Sequence, residues 1–210
     1  MSELEAQMRS PIKSHIKHRY VEMDAKGAST CKFVCHTFWA SQFEAVRRAH
    51  FGLDVSAPEC DGDDVEEGFV RSLCSASKWD AKGGKSGATF SKTSDARFVV
   101  KYVTRTELQM FLDCALHYFE YLAKAFFHKL PTVLCKIMGV YQIGYHNKAT
   151  GKRYMDQVVV MQNLFHGRNI ARVFDLKGST RSRYVTVAPC APPAGGGAEG
   201  VSLSVSFLRE

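Results

Sequence analysis

No stretch of this chain is long and apolar enough to span a bilayer, which takes about 20 residues. Its first fourteen residues, MSELEAQMRSPIKS, lack the apolar centre of a secretory signal. Cysteine is present seven times but never as C-x-x-C; Cys31 and Cys35 are the closest spaced. That scatter excludes a clustered zinc site and points to free thiols in a reducing compartment. A phosphate-wrapping P-loop is excluded by counting. Before Gly84-Lys85-Ser86 the motif needs a glycine at position 79, and Trp79 stands there.

What is present is a chain of 210 residues, 45% apolar, enough for a single domain with a real core. Its net charge of +7 favours anionic partners: nucleotide phosphates, acidic lipid surfaces or nucleic acid. HIKHRYVEM and CKFVCHTF read as two strands around the turn DAKGAST. WASQFEAVRRAHFG carries Trp39, Phe43, Val46 and Phe51 at helical spacing and is closed by Gly52. LDVSAPECDGDDVEEG, acidic and rich in turn formers, reads as an exposed loop.

WDAKGGKSGATF follows, and a short glycine-rich turn of this kind takes its meaning from what comes next. ARFVVKYV is a strand whose alternation sets Phe98, Val100 and Tyr102 on one face and Val99, Lys101 and Val103 on the other. A lysine between two valines is either an edge residue reaching water or a cleft-facing cation that meets an anion. The strongest helix spans TRTELQMFLDCALHYFEYLAKAFFHKL, with a stripe from Leu108 through Phe119 to Phe126 and a stop at Pro131. Thr104 and Glu107 fit a capping box, so Glu107 either turns back to the helix start or reaches Lys101. TVLCKIMGVYQIGY and RYMDQVVVMQNLF then form a hairpin across HNKATGK. The strand QVVVMQNLF offers backbone groups to an adenine edge, with Val158 to Met161 lining the pocket. From Val187 onward the Ala/Pro/Gly-rich composition reads as a tail.

Glycine-rich turn, strand lysine, helix glutamate and antiparallel hairpin, in that order, are the plan of a kinase small lobe. The segments GGKSGATFSKTSDARFVVKYV, TELQMFLDCALHYFEYL and VVVMQNLFHGRNIARVFDLKGSTRSR resemble the phosphatidylinositol phosphate kinase family. Within it they are most similar to the phosphatidylinositol-3-phosphate 5-kinase branch, and FDLKGS (Phe174 to Ser179) is the most specific piece. The resemblance runs from about His15 to Tyr184 and implies an α+β fold, an antiparallel sheet with a long helix. It divides the chain into an N-terminal extension (1–14), an incomplete kinase N-terminal lobe (15–186) and a low-complexity tail (187–210).

By position, the resemblance makes Gly83, Gly84, Lys85, Ser86, Gly87 and Ala88 part of a lid over ATP. Lys101 becomes the ATP-phosphate lysine and Glu107 its helix partner. Met161, Asn163 and Leu164 fall in the hinge, and Lys177 points toward the nucleotide and the reacting phosphate. The implied reaction moves the ATP γ-phosphate, with Mg2+, to the 5-hydroxyl of phosphatidylinositol 3-phosphate. The implied setting is cytoplasmic, peripheral to an anionic endosomal membrane.

The sequence contains neither the family's Met-Asp-Tyr-Ser-Leu catalytic-loop motif nor its Ile-Ile-Asp metal motif. Asp156 follows Met155 at the start of the hinge strand, and Asp175 belongs to DLKGS. The expectation is therefore an inactive kinase fragment without its magnesium ligands. Its rival is a non-catalytic module that binds nucleotide or pairs with a full-length kinase. Nucleic-acid binding through Arg168, Arg172, Arg181 and Arg183 is disfavoured, because no aromatics interleave with them in a stacking pattern.

Overall fold

The computed structural model describes residues 2–52, 62–80 and 88–172. The chain divides into two compact units, Met1–Asn163 and Leu164–Glu210. Among the described residues the first unit contains every regular element: α1 (Glu3–Met8), β1 (Ile16–Met23), β2 (Ser29–Phe38), α2 (Ala40–Gly52), α3 (Gly62–Cys74), β3 (Ser77–Trp79), β4 (Phe90–Lys92), β5 (Phe98–Val103), α4 (Arg105–Phe127), β6 (Ile137–Asn147) and β7 (Arg153–Gln162). In the second unit, residues 164–167 form a turn, with Gly167 at φ +66°.

The fold is α+β. Seven strands make one sheet in the order β1-β2-β6-β7-β5-β4-β3, and each pairing is antiparallel. Hairpins account for β1–β2, β3–β4, β4–β5 and β6–β7. The non-local pairs β2–β6 and β5–β7 then weld the three hairpin groups together. β5 is thus an interior strand, flanked by β7 and β4, which removes the edge-strand reading of Lys101.

Alternation explains the core. Phe98 and Val100 on β5 and Val158 and Val160 on β7 are buried with Phe43, Phe119 and Leu122. On α4 the expected stripe is the packed one: Leu108, Ala115, Phe119 and Leu122 are buried, and Phe111, Leu112 and Phe126 pack against them. Phe43 stands edge-on to Phe119 at 5.0 Å and Trp39 lies 5.8 Å from the same ring, so α2 and α4 share one aromatic seam. Beyond Phe127 the helix ends before Pro131 is reached. The Leu130 N–H donates to Ala125 O and the Lys129 N–H to Phe126 O, a Schellman closure with Lys129 at φ +54°.

Two expectations change. Part of the acidic segment is helix, not loop: α3 begins at Gly62 and buries Phe69. Glu66 is not a solvated charge, since its carboxylate accepts from Arg47 Nε at 2.6 Å and Nη2 at 2.5 Å. Arg47, almost wholly buried, also donates to Met138 O and lies 4.6 Å over the Phe69 ring. The second change concerns residues 3–14, which pack as part of the first unit. Met8 is fully buried, and Gln42 donates to the carbonyls of Ser10 and Ile12.

Candidate nucleotide site

Residues directly opposite in antiparallel strands share a face. The register therefore draws one row across six strands: Trp79, Phe90, Lys101, Val159, Val140 and Phe38. Lys101 stands in this row beside Phe90, at the strand that follows the glycine-rich segment. That segment joins β3 to β4 as a hairpin, and its base is firmly built. Trp79 meets Phe90 edge-on at 6.2 Å, Lys92 Nζ lies 5.1 Å over the Trp79 ring, and the Tyr102 N–H donates to Thr89 O at 3.0 Å. Ala88 leads into β4 from this hairpin. Gly83, Gly84, Lys85, Ser86 and Gly87 lie outside the described residues, as does Lys177.

Lys101 is four-fifths covered, and its ammonium donates to Glu107 Oε1 at 3.2 Å. The Glu107 side chain also caps the helix. Its Oε2 accepts from the Thr104 N–H at 2.7 Å, and Thr104 Oγ1 accepts from the Glu107 N–H at 3.2 Å. The two fates open to this residue from the sequence occur together, one oxygen for each. The Thr104 N–H, helped by Lys101, holds the Glu107 carboxyl below the usual glutamate range, so it remains an anion beside the lysine. The cap fixes the carboxylate and the carboxylate fixes the lysine. A largely covered cation is thereby held in the sheet row that runs through Phe90.

The hinge side needs correction in two respects. Val158 and Val160 do not line a pocket with Lys101, because alternation sends them into the core. Val159 and Met161 are the residues that share the lysine's face, together with Val99 and Ile137. Nor does the strand present an open backbone edge. β7 is paired with β5 on one side and β6 on the other through Met161, and the Gln162 N–H donates to Lys136 O. A docking edge for adenine has to lie beyond Gln162.

Asn163 contributes something the sequence did not suggest. Its N–H donates to Arg97 O at 2.9 Å and its side-chain amide to Ala96 O at 2.6 Å. The end of β7 is thereby clamped to the β4–β5 turn, where Ala96 holds φ +57°. Leu164 opens the turn of the second unit.

The arrangement suits phosphate. An ammonium held by one carboxylate in the row between Phe90 and Val159 can turn its remaining N–H groups and its charge to an anion. Among the described residues no group of three His, Cys, Asp or Glu side chains could hold a metal ion, and Glu107 already spends both oxygens.

Residues 73–191, more than half of the chain, match the phosphatidylinositol-4-phosphate 5-kinase family. The 1-phosphatidylinositol 3-phosphate 5-kinase of Mus musculus is 43% identical over 173 residues, 82% of this chain and 8% of that protein. The human protein of the same name is 42% identical over 181 residues, 86% of this chain and 8% of its own length. The Saccharomyces cerevisiae 1-phosphatidylinositol 3-phosphate 5-kinase FAB1 is 38% identical over 186 residues, covering 88% and 7%. The chain thus spans less than a tenth of the length of these three relatives. With the lysine, its capped glutamate and the glycine-rich hairpin set on one antiparallel sheet, the chain belongs to the phosphatidylinositol-4-phosphate 5-kinase family.

Proposed function

We propose that this chain supplies the nucleotide-holding small lobe of a phosphatidylinositol 3-phosphate 5-kinase. The Lys101–Glu107 pair at 3.2 Å, beside the glycine-rich hairpin, carries the reading. Lys101 holds the ATP phosphates, and Glu107 keeps the ammonium from swinging away. Residues 83–88, of which Ala88 alone is described, have by family resemblance the role of a lid over the phosphates. Met161 packs beneath adenine while Asn163 and Leu164 mark the hinge, with Asn163 acting through its clamp on the β4–β5 turn. Lys177, outside the described residues, has by family resemblance the role of a second cation for the reacting phosphate.

The reaction of the complete kinase forms a bond from the inositol 5-hydroxyl oxygen to the γ-phosphorus and breaks the bond to the β–γ bridging oxygen. ADP leaves, and the hydroxyl proton passes to a base. These 210 residues contain neither of the family's two aspartate motifs, so they bind ATP without turning it over. Among the described residues no group of three His, Cys, Asp or Glu side chains could hold the Mg2+ that such a transfer uses. The lipid substrate sets the protein at the surface of an endosomal membrane, on the cytoplasmic side. Among the described residues no helix is long and apolar enough to cross one.

Titration calorimetry with ATP tests this. The expected result is binding by the chain and its loss in Lys101→Met, with no phosphate transferred to phosphatidylinositol 3-phosphate vesicles. Lys101-dependent phosphorylation of those vesicles would show that the chain is catalytically sufficient. Absence of ATP binding, with a full-length kinase co-purifying, would favour a pure interaction module.

A further inference from the structure

The chain holds six prolines, and only one of them directly follows a serine or threonine. It is Pro11, in the run Arg9-Ser10-Pro11-Ile12-Lys13. A serine followed by proline, with a basic residue three positions on, is the pattern that proline-directed protein kinases accept. Their substrate groove leaves the backbone nitrogen after the acceptor without a partner, so proline, which has no N–H, loses nothing there. Proline also disfavours helix for the residue before it, and α1 stops at Met8. Residues 10–15 lie in neither helix nor strand, between α1 and β1. Pro11, Ile12 and Lys13 are exposed and Ser10 is half-buried.

This strap is held through its backbone. Gln42 of α2, itself buried, donates to Ser10 O at 3.0 Å and Ile12 O at 2.8 Å, and its Oε1 accepts from the Ser14 hydroxyl. Ser14 in turn accepts from the first turn of α2: its carbonyl from the Ala40 N–H at 2.8 Å and its Oγ from the Ser41 N–H at 2.9 Å. None of these bonds uses the Ser10 hydroxyl. Its oxygen accepts from the Ile12 N–H at 3.3 Å, and among the described residues its proton is given to no acceptor. The chain around Ser10 is fixed while the hydroxyl itself is free to react. What the strap secures is α1, six residues long and too short to stand alone. Met8, fully buried, and Leu4 join it to the core, and Glu5 pairs with Arg9 at 3.1 Å across its last turn. A phosphate on Ser10 would sit at the C-terminal end of α1, where negative charge is disfavoured, and would compete with Glu5 for Arg9.

We propose that Ser10 is a modification site for a proline-directed protein kinase, and that its phosphate loosens α1 and the strap from α2. In the transfer a bond forms from Ser10 Oγ to the γ-phosphorus of ATP held by that kinase, and the bond to the β–γ bridging oxygen breaks. ADP leaves, and the hydroxyl proton passes to that kinase's base. The inference is independent of nucleotide binding by this chain. The misplaced charge at the helix end and the lost Glu5–Arg9 pair together weaken the docking of α1 by about threefold to tenfold.

The experiment incubates the full chain with ATP and a cyclin-dependent protein kinase, maps the product by mass spectrometry and then follows amide hydrogen exchange. The expected product carries phosphate on Ser10 and on no other residue, and none forms when the kinase is omitted. Pro11→Ala should slow the incorporation about tenfold or more, because it restores an N–H that finds no partner. In the phosphorylated chain the amides of Ala6, Arg9, Ala40 and Ser41, which close α1 and the strap, should exchange about threefold to tenfold faster. Those of β5 and α4 should be unchanged. Ser10→Ala keeps every backbone oxygen that Gln42 holds, so after kinase treatment it should exchange like the untreated chain. No phosphate on Ser10 of the folded chain would overturn the proposal, as would equal incorporation in Pro11→Ala. So would phosphate on Ser10 with exchange unchanged, or with exchange raised equally in β5 and α4.

Discussion

Replacing Glu107 separates the two bonds its carboxylate makes. Glu107→Gln keeps an acceptor for the Thr104 N–H, since glutamine serves the capping box as glutamate does, but removes the charge beside Lys101. Glu107→Ala removes both, and Thr104→Ala removes the hydroxyl half of the cap. The pair with Lys101 joins a side chain 19% exposed to one 42% exposed, so solvent screens it and its loss costs about 0.5 kcal/mol. Losing the Thr104 cap costs about 1 kcal/mol. Glu107→Ala, losing a capping bond and the ion pair, costs about 1.5 kcal/mol. Urea unfolding at neutral pH should rank the variants in that order. Acid supplies a second reading. The folded pKa of Glu107 lies below the ordinary 4.5, so its contribution is fully present above 4.5 and is lost as pH falls through the folded value. The gap between wild type and Glu107→Gln should therefore close in acid. ATP binding should weaken up to about fivefold in Glu107→Gln and stay level in Thr104→Ala. If Glu107→Gln is as unstable as Glu107→Ala, or Thr104→Ala weakens ATP binding more than Glu107→Gln does, the division between cap and lysine is wrong.

Three further outcomes are expected. Glu66→Ala strands the buried Arg47 guanidinium and should cost about 2 kcal/mol, whereas Glu67→Ala, losing the exposed pair with Arg71, should stay within about 0.5 kcal/mol in the same unfolding assay. Lys129→Gly relieves a left-handed backbone at the end of α4 and should stabilise the chain by about 0.5–1 kcal/mol; a lower melting temperature would refute the Schellman closure. His36 and His146 have folded pKa values below 6.5, so the fold favours their neutral forms, and stability is lost as pH falls through 6.5 toward the folded values. Replacing both by glutamine should flatten the stability profile between about pH 7 and 5, and an unchanged slope would show that neither desolvation nor the neighbouring cations hold them neutral.

Local pattern made much of this legible. Alternation in ARFVVKYV placed Lys101 opposite the core-facing Phe98 and Val100, and the spacing from Thr104 to Glu107 announced the cap. The unreadable parts depended on partners distant in sequence. The acidic run before Phe69 looks solvated because Arg47, which neutralises Glu66, lies 19 residues earlier on another helix. QVVVMQNLF looks like an open edge because nothing within it reveals that β5 and β6 take its two sides. The αL residue at Lys129 is equally silent, since the sequence supplies lysine where glycine is usual.

Asn163 shows the same limit at the site itself. A hinge residue is expected to face a ligand, yet both its backbone N–H and its amide are directed to the carbonyls of Arg97 and Ala96. The β4–β5 turn follows the strand that comes after the glycine-rich segment, so the clamp ties the end of β7 to β4 and to the strand of Lys101. Asn163→Ala should therefore act through position. It should weaken ATP binding together with stability, whereas a residue touching only adenine would weaken binding alone, and that second pattern would assign Asn163 directly to the ligand.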